Sequence, residues 1–223
     1  MDNVLTVRGL TRTFRQGETE IHAVDHVDLE IRKGEFVSII GASGSGKTTL
    51  LNILGCIGRP SAGEVTVNGQ SVTGADDARL SEIRRREIGY IHQDFQLLPI
   101  LTAAENIIMP LLLDRRKPDR EEMRQLAESL GIADRLTHLP SELSGGQQQR
   151  VAIARTLMTH PSVILADEPT GNLDKAAAEN IMDLLTALNR QGHTILLVTH
   201  NEDFAKRCTR LLRMTDGKLE ETA

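Results

Sequence analysis

Only two cysteines, Cys56 and Cys208, stand among the 223 residues. They form no C-x-x-C pair and no disulfide framework, so a stapled secreted module is excluded and a reducing compartment is expected. A basic excess is missing too: 26 Lys and Arg stand against 31 Asp and Glu, a net charge of −5. Such a chain has no surplus cations with which to neutralise a phosphate backbone, which argues against nucleic acid as the main partner. The basic run Arg84–Arg86 ends the helical-looking DDARLSEIRRREIG and reads as a solvated helix face finishing in cations. No basic and then apolar leader opens MDNVLTVRGL, so no secretory signal is expected. A long unbroken apolar run is also lacking. FQLLPILTAAENIIMPLLL, residues 95–113, comes nearest, but Gln96, Pro99, Glu105, Asn106 and Pro110 interrupt it and none suits a lipid-facing helix. No membrane span is expected, and any membrane role must come through a partner.

What is present is an ordinary globular composition, 39% hydrophobic and 26% charged, long enough for one substantial core. Short runs rich in Val and Ile (VLTV, FVSII, EVTV, IGYI, VILAD, TILLVT) read as strands. GKTTLLNILG, PDREEMRQLAESLG, QQRVAIARTLM and AAAENIMDLLTALNR, between or beside them, read as helices. This alternation predicts βαβ units and a largely parallel sheet. Residues 1–75 are strand-rich, with a hairpin turn at Asn68-Gly69. Residues 95–158 read as almost all helix, and residues 163–199 return to strand, helix and strand. The expected division is a parallel-sheet core, 1–93 and 159–223, with a helical lobe, 94–158, inserted in it. Two capping boxes are predicted, Thr102 with Glu105 and Ser144 with Gln147, each opening a helix. Within the first of these helices Ile107, Ile108, Leu111 and Leu112 recur at helical spacing and are expected in the core.

FVSIIGASGSGKTTLLNILG carries the strongest local signal. Gly41, Gly46, Lys47 and Thr48 satisfy G-x-x-x-x-G-K-[ST], after a strand and opening a helix, where a phosphate cradle must sit. Its glycines let backbone N–H groups turn inward, so that Gly41, Ala42, Ser43, Gly44, Ser45, Gly46, Lys47, Thr48 and Thr49 surround phosphate oxygens at the positive end of the helix. Lys47 reaches for the β- and γ-phosphates and Thr48 offers its hydroxyl to Mg²⁺. VILADEP then places Asp167 at the C-terminal end of a buried strand, where it suits a role just behind the Mg²⁺ ion. Glu168, one step on, points differently and can polarise a water aimed at the γ-phosphate.

Together these residues resemble the ATP-binding cassette (ABC) ATPases over essentially the whole chain. LSGGQ, Leu143 to Gln147, matches the family signature. Gln93 in YIHQDF falls at the Q-loop, GNLD (Gly171 to Asp174) at the D-loop, and His200 in LLVTHN at the switch histidine. The resemblance implies a P-loop NTPase fold of the α/β class, with a mostly parallel sheet core, an N-terminal antiparallel β-subdomain and an inserted helical lobe. It implies ATP and Mg²⁺ as ligands, the metal held by Thr48, Gln93 and Asp167. It implies catalysis by Glu168 as general base, held by His200, with Gln93 and Lys47 at the phosphates. It also implies a head-to-tail homodimer in which Ser144, Gly145, Gly146 and Gln147 of one chain, and Asp174 of the D-loop, close on ATP held by the other. LSGGQQQR holds no acid or base because a helix N-terminus, a hydroxyl and approachable N–H groups suffice for that task. Phe14, in LTRTFRQG, looks like the position that stacks on adenine; phenylalanine stacks but has no hydroxyl to hydrogen-bond.

ADEPTGNLD, LLNILG and FQLLPILTAAENI are similar to the MacB-, LolD- and FtsE-like cassettes, including antimicrobial-peptide-responsive transporters. That subgroup implies a peripheral subunit on the cytoplasmic face of the cell membrane, touching the membrane only through an FtsX/MacB-like permease. The segment after Gln93 is expected to form the groove for a coupling helix of that permease, with Phe95, Leu97, Leu98 and Ile100 in a loop around Pro99. Two other classes stay open: a regulatory FtsE-like module that signals across the membrane without transport, and a soluble ABC ATPase, against which the acidic balance counts.

Overall fold

The computed structural model describes residues 3–17 and 19–222. The chain starts with two 14-residue strands, β1 (Asn3–Gln16) and β2 (Thr19–Arg32), paired antiparallel with several register shifts. They continue through β4 (Ala62–Val67) and β5 (Gln70–Ser71) into a four-stranded antiparallel sheet ordered β2-β1-β4-β5. The β4–β5 turn is the predicted one. Asn68 and Gly69 both have positive φ, 46° and 74°, which the tight turn between Val67 and Gln70 requires.

The second sheet has six strands, ordered β10-β9-β3-β8-β7-β6. β3 (Phe36–Ile40), β6 (Ile88–Ile91), β7 (Val163–Asp167), β8 (Ile195–Val198) and β9 (Arg210–Thr215) run parallel, and β10 (Lys218–Glu221) turns back antiparallel on β9. β3 is buried throughout, and alternate residues feed opposite layers, because successive side chains of a strand leave opposite faces. Val37, Ile39, Val163, Leu165, Leu196 and Val198 join the antiparallel sheet, α1 (Lys47–Leu54) and α2 (Asp77–Arg86) in one core. Phe36, Ile164, Ala166, Ile195 and Leu197 join α3 (Ala103–Leu113), α5 (Gly145–Leu157) and α6 (Lys175–Arg190) in the other. α4 (Arg120–Ser129) and α7 (Glu202–Ala205) complete the helices.

Both capping boxes form: Thr102 and Ser144 cap α3 and α5, with Glu105 and Gln147 answering from the third helical residue. Each cap is worth about 1 kcal/mol to its helix. Two expectations need correction. Leu112 is 49% exposed, since Ile107 and Leu111 lie on the face of α3 that meets the core and Leu112 is turned away from it. Nor is the arginine run a simple solvated face. Arg85 and Arg86 both pair with Asp114, whose side chain is 5% exposed, and Arg84 donates to the Cys56 carbonyl. The run therefore ties α2 to the end of α3.

Candidate active site

Four neighbouring parallel strands, β3, β8, β7 and β6, release their chains at the same edge of the sheet. There β3 gives way to the loop of residues 41–46, β8 to His200, β7 to Asp167 and Glu168, and β6 to Gln93. Ligands bind at this edge in open α/β sheets, because loops and helix N-termini converge on it. A cavity of about 420 Å³ opens there, lined by Gly41, Ser43, Gly44, Gly46, Lys47, Thr48, Thr49, Gln93, Asp167, Glu168 and His200, with Ala23 and Val198.

The loop is shaped by close backbone approaches. A Cβ at Gly41 would stand 2.3 Å from the Met214 carbonyl oxygen, and one at Gly46 would stand 1.9 Å from that of Ala23. Gly46 also has φ 105°. Behind it, the β9–β10 turn braces the cradle, Gly217 N–H donating to the Ser45 carbonyl at 3.1 Å. Lys47, 9% exposed, donates its ammonium to the carbonyls of Gly41 at 2.8 Å and Ala42 at 2.7 Å. Burial pushes its pKa down, against the pull of Glu168 and Asp167. A phosphate can take over the hydrogen bonds now spent on loop carbonyls.

Asp167 is half-buried, and burial followed by the Glu168 charge pushes its pKa up. A pair of carboxylates so placed is short of positive charge. Thr48 hydroxyl, Asp167 carboxylate and Gln93 amide oxygen are hard oxygen donors, suited to Mg²⁺ and too few to cage it without phosphate. Glu168 sits in a left-handed conformation, φ 46°, which costs a non-glycine residue about 1 kcal/mol or more. Bonds of 2.9 Å hold the turn, from Glu168 N–H to the Val198 carbonyl and from Gly171 N–H to the Glu168 carbonyl. His200 Nδ1 lies 2.9 Å from Glu168 Oε2, within ion-pair distance yet out of hydrogen-bond alignment, so Oε2 keeps no hydrogen-bond partner. Glu168 lines the cavity, which is where a general base for an attacking water must stand.

Not every expected residue lines this cavity. Ala42 and Ser45 belong to its loop without facing it, and Phe14 stands on the β1–β2 hairpin, 42% exposed, with the Arg12 guanidinium 4.6 Å from its ring centre. Ser144, Gly145, Gly146 and Gln147 are absent from the lining as well; they form the start of α5, with Ser144 exposed. A Cβ at Gly145 would stand 3.2 Å from Leu173 Cδ2 and 3.7 Å from Phe95 Cζ. Asp174 caps α6 by accepting from Ala177 N–H at 2.8 Å. Gln93 and Asn172 clasp each other: Gln93 Nε2 donates to Asn172 Oδ1 at 3.2 Å, and Asn172 Nδ2 to the Gln93 carbonyl at 3.1 Å. Sequence reasoning missed Ala23, whose small side chain and β2 position carry no signal of their own.

This site and fold define a phosphate-binding ATPase, and comparison with known proteins places it. The family model for the ABC transporter matches residues 24–171, and the chain belongs to that family; it is an ABC ATPase that binds ATP. An uncharacterized ABC transporter ATP-binding protein of Thermotoga maritima is 44% identical over 222 residues, covering 99% of this chain and 95% of that protein. The macrolide export ATP-binding/permease protein MacB of Marinobacter nauticus is 46% identical over 220 residues, 98% of this chain. The chain spans about a third, 34%, of that longer protein. Among solved structures, the dimeric post-hydrolysis state of the ATP-binding cassette MJ0796, bound to ADP and Pi, superposes with TM-score 0.86 at 44% identity, covering 97% of this chain and 98% of that one.

Proposed function

We propose that two copies of this chain hydrolyse ATP between them and drive a membrane permease of the FtsX/MacB-like kind, in export or in transmission of movement to the far side of the membrane. One observation carries the two-copy reading: the cavity holds the P-loop, Asp167, Glu168, Gln93 and His200, yet no residue of Leu143–Gln147 lines it. The exposed, capped N-terminus of α5 is left free to close on another chain's γ-phosphate. The dimeric MJ0796 structures are consistent with this arrangement.

In this reading the loop N–H groups and Lys47 bind the phosphates, and Ser144 and Gly146 of the partner subunit cover the γ-phosphate, with Asp174 at the same seam. Thr48, Asp167 and Gln93 would hold Mg²⁺, which neutralises charge on the phosphate oxygens when bound. Glu168 takes the proton of the attacking water, and His200 beside it keeps the carboxylate aimed. Phe14 offers the open face of its ring to adenine. Residues 1–93 and 159–223 act as the nucleotide-binding core, and residues 94–158 as the lobe that carries the signature.

Mixing two inactive variants tests the arrangement. Gly146→Asp sets a charge and a side chain against the γ-phosphate but leaves that chain's P-loop intact. Lys47→Ala has the opposite fault. A mixed dimer then has one site with both faults and one with neither. Random pairing should restore about a quarter of wild-type turnover, since half the dimers are mixed and each has one sound site of two. No recovery, or loss of ATP binding by Gly146→Asp alone, would place the signature in its own chain's pocket.

The permease side rests on a mixed groove and the exposed apolar side chains beside it. No helix among the described residues is long and apolar enough to cross a membrane; similarity to the MacB ATP-binding/permease proteins is what supports placing the chain at the cytoplasmic face, beside a permease. A cavity of about 430 Å³ beside the Q-loop is lined by apolar Leu98, Met109, Pro110 and Leu113 and by polar residues that include Arg84, His92, Asn106 and Arg155. Leu98, Ile100, Leu112 and Leu113 are exposed by 46%, 84%, 49% and 69%. Such a surface suits the apolar face of a docking helix. Leu98→Asp is expected to leave the free subunit folded by circular dichroism and ATP-binding, while weakening co-purification with the permease about tenfold or more. Unfolding of the free variant, or normal assembly with coupled activity, would move the groove elsewhere.

A further inference from the structure

Gln149, in the second turn of α5, is fully buried at 0% exposure, although it is a polar side chain in the helix that begins with the signature. Its amide Nε2 donates to the Pro169 carbonyl at 2.7 Å and approaches the His92 carbonyl at 3.3 Å. Its Oε1 has no hydrogen-bond partner. Two carbonyls can only accept, so the NH₂ end must face them, and a buried acceptor left unpaired is a standing cost. Pro169 follows Glu168 and its left-handed turn; His92 precedes Gln93. The same helix reaches the far side of Gln93 as well. Arg155 donates to the carbonyls of Phe95 and Gln96, both at positive φ, 61° and 46°.

We infer that Gln149 is a positioning residue for hydrolysis, tying the signature helix to the two loops of its own chain that present Gln93 and Glu168. The inference rests on the roles proposed above for those two residues. When α5 shifts to meet ATP on the other chain, the amide carries the shift to its own chain's Glu168 and Gln93. Ser144 at the helix start serves the neighbour's nucleotide; Gln149 serves its own.

Gln149→Met keeps the volume and removes both donors. Its kcat for ATP is expected to fall about tenfold or more while the ATP KM stays within about twofold, the pattern of a lost transition-state arrangement with phosphate binding intact. Mixing separates this from a damaged signature. If Gln149 acts within its own chain, Gln149→Met is rescued by Gly146→Asp, because the mixed dimer then has one site whose core and signature are both sound. It is not rescued by Lys47→Ala, which spoils the core of the other site. The reverse pattern, or a kcat near wild type, overturns the inference. The Gly146→Asp and Lys47→Ala mixture is the control: its failure overturns the two-copy reading and this inference with it, whereas its success beside the reverse Gln149 pattern sinks the inference alone. Gln149→Leu repeats the test in a smaller side chain, and failure of both variants to fold overturns the positioning role in favour of a purely structural one.

Discussion

Glu168→Gln is expected to lower ATP hydrolysis by about 10²–10⁴-fold, the range a positioned general base contributes. The change preserves shape and removes the acceptor. Glu168 Oε2 is buried without a hydrogen-bond partner, and His200 Nδ1 stands 2.9 Å from it. An amide in that place cannot take a proton from water. The P-loop is untouched, so ATP still binds, and a complex that closes on ATP without cleaving it accumulates as a dimer. A sizing column run with Mg·ATP reads both effects, the dimer peak growing as phosphate release stops. Near-normal turnover would remove Glu168 from the mechanism.

Gly46→Ala is expected to weaken ATP binding by about 10²-fold. Two costs add. Alanine at φ 105° is strained by about 1–2 kcal/mol. Its Cβ would also stand 1.9 Å from the Ala23 carbonyl oxygen and 2.9 Å from Met214 Cε. The methionine end can swing aside. The Ala23 carbonyl is backbone, at a register shift between the pairs Arg12–Val24 and Thr13–His22, so either that bulge or the start of α1 must shift, at about 1–3 kcal/mol. Lys47 and Thr48 follow Gly46 directly and shift with it. Gly44→Ala is the comparison: φ is 81°, but the added Cβ meets nothing within 4 Å, so only the strain remains. Titration with a fluorescent ATP analogue should rank wild type, Gly44→Ala and Gly46→Ala in that order. Equal binding by the two variants would mean that the contact with β2 does not shape the cradle.

Most strands of the parallel sheet and the residues at its C-terminal edge were legible because each signal is local. FVSII and VILAD are continuous apolar runs, Gly41 to Thr48 is a contiguous motif, and Ser144 with Gln147 closes a box within one helical turn. Less legible were features whose cause lies far along the chain. β2 mixes charged and apolar residues in TEIHAVDHVDLEIR, and its register with β1 shifts repeatedly, so no clean alternation marks it. The β9–β10 hairpin is short, and its importance comes from Gly217 and Met214 bracing a loop some 170 residues earlier. Leu112 kept the spacing of a core residue but fell on the outer flank of the stripe. Gln149 reads as one more polar residue in QQQR; only packing shows that it is buried and that its neighbours at positions 147, 148 and 150 are not.

A structure of Glu168→Gln with Mg·ATP tests the central claim most directly. The account predicts two chains and two ATP molecules, each nucleotide held by the P-loop of one chain, with Ser144 and Gly146 of the other within hydrogen-bond reach of its γ-phosphate. ATP bound to a single chain with its own Ser144 at the γ-phosphate, or a dimer whose signatures lie away from both nucleotides, would contradict it.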